Sequence, residues 1–140
     1  MLVRLLYVSR ATESTTESLE AILQRARRHN AEHGITGILC YSNNIFMQLL
    51  EGSREEVNCL YSEIQRDSHH TNVQLFHYDE ITEREYPGWT MGLVDIDQLN
   101  TSIILKYSEG PDFNPYANSG WMSLAMLEEL AATAQVVGRG

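Results

Sequence analysis

The chain has 140 residues, enough for one domain with a substantial core and short of what two such domains need. With 43% hydrophobic and 21% charged residues it has a soluble globular composition, and no apolar run approaches the roughly 20 residues of a membrane span. Its 19 acidic and 10 basic side chains give a net charge of -9, a surface that repels phosphate backbones and argues against nucleic-acid binding.

Leu2–Ser9 reads as a strand from its β-branched and aromatic content. Ser14 with Glu17 forms a capping box, opening a helix that runs to Gly34, a residue suited to the position just past a helix end. Its apolar stripe is Leu19, Ile22, Leu23 and Ala26, continued by Asn30. Thr36–Ser42 and Ile45–Glu51 are strands joined through Asn43-Asn44, residues that tolerate positive φ in a two-residue hairpin. A second capping box, Ser53 with Glu56, opens a helix with the stripe Val57, Leu60, Tyr61 and Ile64. Strands follow at about Asn72–Ile81 and Thr90–Ile96, with a turn at Pro87-Gly88.

The order βαββαβ plus one strand is the ferredoxin-like arrangement, an α+β fold with two helices on one sheet face. After Asp95 the character changes to a short helix around Gln98–Leu105, a loop with Pro111 and Pro115, and a helix over Ser119–Val137. That last helix carries Leu124, Leu127, Ala131 and Ala134 on one face. The division expected is a domain over 1–95 and a helical extension over 96–140. The extension is expected to cover the sheet face left open by the two helices, its remaining apolar surface serving an oligomer or a partner. Cys40 and Cys59 both fall among apolar neighbours and read as small apolar fillers rather than a disulfide. The start, Met-Leu-Val-Arg, lacks the layout of a signal peptide, so a cytoplasmic location is expected.

Three polar side chains fall where the pattern calls for apolar ones. Tyr7 ends the strand face Val3, Leu5, Tyr7; Gln48 lies between Phe46 and Leu50 on one strand face; Asn30 continues a helical core stripe. A buried amide or phenol without a partner costs about 1–3 kcal/mol. Three of them aimed into one small core point to something polar bound between them.

The segments Arg4-Leu5-Leu6-Tyr7, Asn30-x3-Gly34-Ile35-Thr36-Gly37-Ile38-Leu39, Phe46-Met47-Gln48-x2-Glu51-Gly52, Asp67-x-His69-His70 and Trp89-x-Met91 resemble the BLUF domain in order and spacing. BLUF domains are blue-light sensor modules that use flavin adenine dinucleotide. The tail, with Leu105-Lys106-Tyr107-Ser108, is similar to short stand-alone members of PixD type. The resemblance implies a photoreceptor rather than an enzyme, with FAD (or FMN or riboflavin as substitutes) held noncovalently between the two helices. It implies Ile22 and Ile64 as ring walls, His29 nearby, Asn30 on the C4=O and N3–H edge, and Gln48 beside N5 with Tyr7 donating to it. Asp67 would meet the ribityl chain, with Arg66 and His70 toward the phosphates. Trp89 and Met91 would share the place beside Gln48, and sequence does not choose between them. Ala26 departs from members that carry serine there, which bears on spectral tuning.

The implied mechanism is electron transfer from Tyr7 to the excited flavin with proton movement through Gln48. Gln48 is left rotated or tautomerised, and a small red shift results. With no output domain visible, signalling is expected by association: a homo-oligomer, dimer or ring, and a response-regulator-like or other signalling protein. Two other readings stay open. One is a light-independent ferredoxin-like module sensing a small molecule or redox state in the same slot. The other is a zinc hydrolase using His29 and His33, since His29-Asn30-Ala31-Glu32-His33 has the inverted zinc-peptidase spacing.

Overall fold

A computed structural model describes residues 1–12, 19–96 and 101–133. Five strands form one sheet: β1 (Leu2–Ala11), β2 (Thr36–Ser42), β3 (Ile45–Ser53), β4 (His70–Ile81) and β5 (Gly92–Asp95), in the order β4-β1-β3-β2-β5. The first four alternate antiparallel in the ferredoxin-like order, and β5 joins the edge parallel to β2. Helices α1 (Leu19–His33) and α2 (Arg54–Arg66) cover one face; α3 (Thr101–Tyr107) and α4 (Gly120–Thr133) lie beyond β5 in the chain. The capping box at Ser14 and Glu17, residues 97–100 of the expected short helix, and the end of the last helix lie outside the described residues.

Local chemistry accounts for the joints. Asn43 and Asn44 take φ of 54° and 59°, so the β2–β3 hairpin closes through two left-handed residues. Ser53 caps α2 by accepting from the Glu56 backbone N–H at 3.2 Å. Gly37 lies so close to β3 that a Cβ there would stand 1.9 Å from the Leu49 carbonyl oxygen. At the start of α4, a Cβ on Gly120 would stand 1.8 Å from the Phe76 oxygen, so that helix sits directly on β4.

Strand alternation splits the core in two. Val3, Leu5, Tyr7, Leu39, Phe46 and Leu50 face α1 and α2. Leu6, Val8, Ile38, Met47 and Leu49 face the other way, where Ile103, Ile104, Phe113, Leu124, Leu127 and Leu130 bury them. The C-terminal helices therefore form a third layer on the second sheet face, as their apolar stripes led us to expect.

Two expectations need correction. Cys40 is buried, but Cys59 is exposed on α2, turned away from the stripe that packs on the sheet. Burial pushes the Cys40 thiol up to about 12, so it stays protonated. The last strand begins at Gly92, leaving Trp89 and Met91 in the connection before it rather than on it. The described part of the expected short helix runs over Thr101–Tyr107, two residues beyond the Leu105 end of the reading.

Candidate functional site

Tyr7 and Gln48 are register partners on β1 and β3, and Gln48 is also opposite Leu39 on β2. All three side chains therefore project toward α1 and α2. There they form the floor of a cavity of about 270 Å³ walled by Ile22, Ala26 and Asn30 of α1 and Leu60 and Ile64 of α2. Phe46, His29, Arg25, Glu63, Asp67 and His70 complete the lining. The cavity is apolar on its walls with a few amide, imidazole and carboxylate groups at the floor and mouth, the character of a site for a flat ring with a polar edge.

The polar groups are tightly arranged. Tyr7 is 1% exposed and donates its hydroxyl hydrogen to Gln48 Oε1. Gln48, 7% exposed, donates from Nε2 to Met91 Sδ at 3.3 Å. Burial holds the Tyr7 phenol far above the ordinary tyrosine range, with Tyr61 and Asp67 adding to it, so Tyr7 is a neutral donor. Asn30, 1% exposed, donates from Nδ2 to the Thr90 carbonyl at 2.8 Å, and its Oδ1 lies 3.4 Å from His29 Nδ1.

At the mouth, Ser9 Oγ lies 2.8 Å from His70 Nδ1, and the His70 ring packs against Phe46. Desolvation lowers the His70 pKa, outweighing the opposite pull of Asp67. Burial tends to raise Asp67, but the His69 backbone N–H and ring bind its carboxylate and hold it below its ordinary range. The mouth thus combines an ionised carboxylate with an imidazole held toward its neutral form.

Of the sequence candidates, Tyr7, Ile22, His29, Asn30, Gln48, Ile64, Asp67 and His70 line this one cavity, and Met91 is bonded to its floor. Arg66 is exposed at the end of α2 and contributes no lining. Trp89 stacks on Tyr86 (centroids 5.1 Å apart, planes at 20°) and packs against the core beneath α3 and α4. Met91, not Trp89, stands beside Gln48 here. His29 and His33 stack at 4.3 Å, as their spacing on one helical face requires, but His33 Nδ1 is 2.8 Å from Glu56 Oε2. Among the described residues no group of three or more metal-ligating side chains is gathered, so the third ligand that a zinc site needs is not assembled there.

Sequence reading missed Phe46, Leu39, Arg25, Leu60 and Glu63 as lining residues. Phe46 shares the period-two face of Gln48, and Arg25 is three residues from Ile22 on α1, so both were signalled by spacing. It also missed Glu51. That carboxylate is 1% exposed and accepts from the backbone N–H groups of Glu85 and Tyr86 at 2.8 and 2.9 Å.

The comparisons agree with this geometry. The family model described as sensors of blue-light using FAD matches residues 2–92, and the chain belongs to that BLUF family. A solved structure, the BlsA photo-activated state, superposes with a TM-score of 0.84 at 35% identity, covering 96% of this chain and 98% of that one. The dark-state structure of BlrB, a BLUF protein, gives a TM-score of 0.73 at 32% identity, covering 94% and 95%. The photoactivated adenylate cyclase subunit beta of Euglena longa is 40% identical over 102 residues, 71% of this chain. The chain spans only 12% of that curated relative's length. None of the described helices is long and apolar enough to cross a membrane.

Proposed function

We propose that the chain is a cytoplasmic blue-light photoreceptor whose switch is the Tyr7–Gln48–Met91 hydrogen-bond chain under a noncovalently bound FAD. The observation that supports it best is a buried glutamine at the floor of an apolar cavity, with a tyrosine donor on one side and a thioether acceptor on the other. A glutamine amide has a donor and an acceptor end, so turning it over or tautomerising it exchanges what it offers at fixed position.

The residues fit a flavin. Asn30 and Gln48 offer amide donors and acceptors to a ring edge, Ile22 and Ile64 oppose each other as apolar walls, and His29 closes one side. When bound, the flavin supplies blue-light absorption and an electron acceptor. Tyr7 holds its proton on Oη in the dark and is the residue poised to release it toward Gln48 Oε1. Once Gln48 has reoriented, Tyr7 faces the other end of the amide, and the bond to Met91 Sδ is lost. Ionised Asp67 suits ribityl hydroxyls. His70, held toward neutrality, serves there as a hydrogen-bonding group and not as a counter-charge to phosphate; the cations offered to it are Arg66 at the end of α2 and Arg25 in the cavity lining.

Segment 1–95 is the sensor and 96–140 the output surface, acting through a homo-oligomer and a signalling partner of response-regulator type. The test is absorption of the purified protein in the dark and after blue light. A flavin spectrum with a reversible small red shift is expected. A yellow protein with no shift supports a light-independent flavin module instead.

A further inference from the structure

Trp89, Thr90 and Met91 present three successive carbonyls, and each has its own donor. Gly37 N–H reaches Trp89 O at 2.9 Å, Asn30 Nδ2 reaches Thr90 O at 2.8 Å, and Arg27 Nε reaches Met91 O at 3.0 Å. Arg27 and Asn30 are three residues apart on α1, hence on neighbouring positions of one face. Asn30 is part of the cavity wall; Arg27 is not.

The thioether contact does not keep itself in place. Sulfur is a weak acceptor and the methionine side chain is flexible, so the Gln48–Met91 bond needs its backbone held. Sheet pairing does not hold it, because β5 pairs with β2 only from Gly92 onward. The other two bonds fix Trp89 and Thr90. The bond to Met91's own carbonyl comes from a guanidinium, a charge-assisted donor stronger than a neutral one.

We infer that Arg27 is a positioning residue of the switch, holding Met91 on Gln48 in the dark; its bearing on the light reaction rests on the photoreceptor reading above. When Gln48 reorients, the tether opposes departure of Met91 and favours return. Removing one such bond, worth about one power of ten in an equilibrium, should lengthen the lit-state lifetime by up to roughly tenfold.

The experiment compares flavin-loaded wild type with Arg27→Met, Arg27→Lys and Arg28→Met, the last an exposed neighbour. The readouts are the methionine-methyl NMR signal of Met91 in the dark, assigned with Met91→Leu, and the rate of dark recovery. Arg27→Met is expected to displace the Met91 signal and slow recovery, with flavin occupancy retained. Arg27→Lys should fall between, and Arg28→Met should match wild type. An unmoved Met91 signal in Arg27→Met overturns the inference, as does an equal displacement in Arg28→Met. Should Arg27→Met fail to fold, Arg27→Lys decides by the same signal. A wild type without any red shift removes the photoreceptor reading, while the dark Met91 signal still decides whether Arg27 holds that residue.

Discussion

Tyr7 meets Gln48 because the β1–β3 register sets them opposite each other on one sheet face, with no loop to adjust. Tyr7→Phe keeps the ring that packs in the floor and removes only the hydroxyl donor. The variant should bind flavin with near-normal affinity and show no red shift, checked by difference absorption after blue light. It should also lose about 1–3 kcal/mol of stability, because Gln48 Oε1 is left buried without its donor. Asn30→Ala should act differently. Its amide belongs to the cavity wall and also holds Thr90, so flavin affinity should fall about ten- to hundredfold in titration. His70 gives a pH prediction. Its folded pKa lies below the ordinary 6.5, so on acidification the unfolded chain takes up this proton first. Stability from this group is complete above about 6.5 and falls as pH drops through the window down to the folded value. Melting followed from neutral pH downward should show that decline in wild type and a shallower one in His70→Gln. The Asp67 contribution, from a carboxylate held below its ordinary 3.8, should fade only in stronger acid in both.

At the scale of elements, the connection between β4 and β5 is fastened at both ends. Glu51 holds residues 85 and 86 from β3, Arg84 reaches back to Thr36 Oγ1 at 3.0 Å and Glu51 O at 3.2 Å, and α1 and β2 hold residues 89–91. Glu51→Gln keeps the size but turns one acceptor into a donor facing a backbone N–H. A cost of about 1–3 kcal/mol is expected, with faster amide exchange over residues 84–91, read by denaturant titration and hydrogen exchange. This connection also shows where sequence reading stops. The hairpin at Asn43-Asn44, the faces of β1 and β3 and the stripe of α2 were legible because local rules, turn chemistry and period two or 3.6, determine them. The convergence of Tyr7, Gln48 and Asn30 followed from the same rules. The choice of Met91 over Trp89 did not, because it depends on Arg27, Gly37 and Asn30, residues over 50 positions away that no local pattern links to it. Glu51 looked like the polar end of a strand, since its partners are backbone groups that carry no sequence signature. Cys59 sits beside a helical stripe, where a one-residue step in the sequence turns a side chain from the sheet to solvent.

For the whole molecule, the sheet separates the cavity from the layer of α3 and α4, so any signal to the C-terminal helices has to cross or go round it. We propose a route round through Arg4. Arg4 follows the Leu2–Val3 start of β1, binds Asp79 through two bonds at 3.0 and 2.8 Å, and approaches Glu85 of the connection at 4.0 Å and Glu128 of α4 at 3.7 Å. One guanidinium thus joins an edge strand, the connection that carries Trp89 and Met91, and the last helix. Burial and the charge of Glu85 raise the Glu128 pKa against the pull of Arg4, so the two carboxylates repel and Arg4 relieves them both. On that route a shift of residues 85–91 would change the balance at α4. On the outer side, Trp121 is 70% exposed on α4 and meets His77 of β4 edge-on, leaving apolar surface for a partner beside the element that would feel the change. Hydrogen exchange measured in dark and under blue light should therefore show changed protection in residues 84–91 and in α4, with β1 and β3 protected alike in both. Changes limited to the neighbourhood of Gln48, with none beyond Asp95, would falsify this route from cavity to surface.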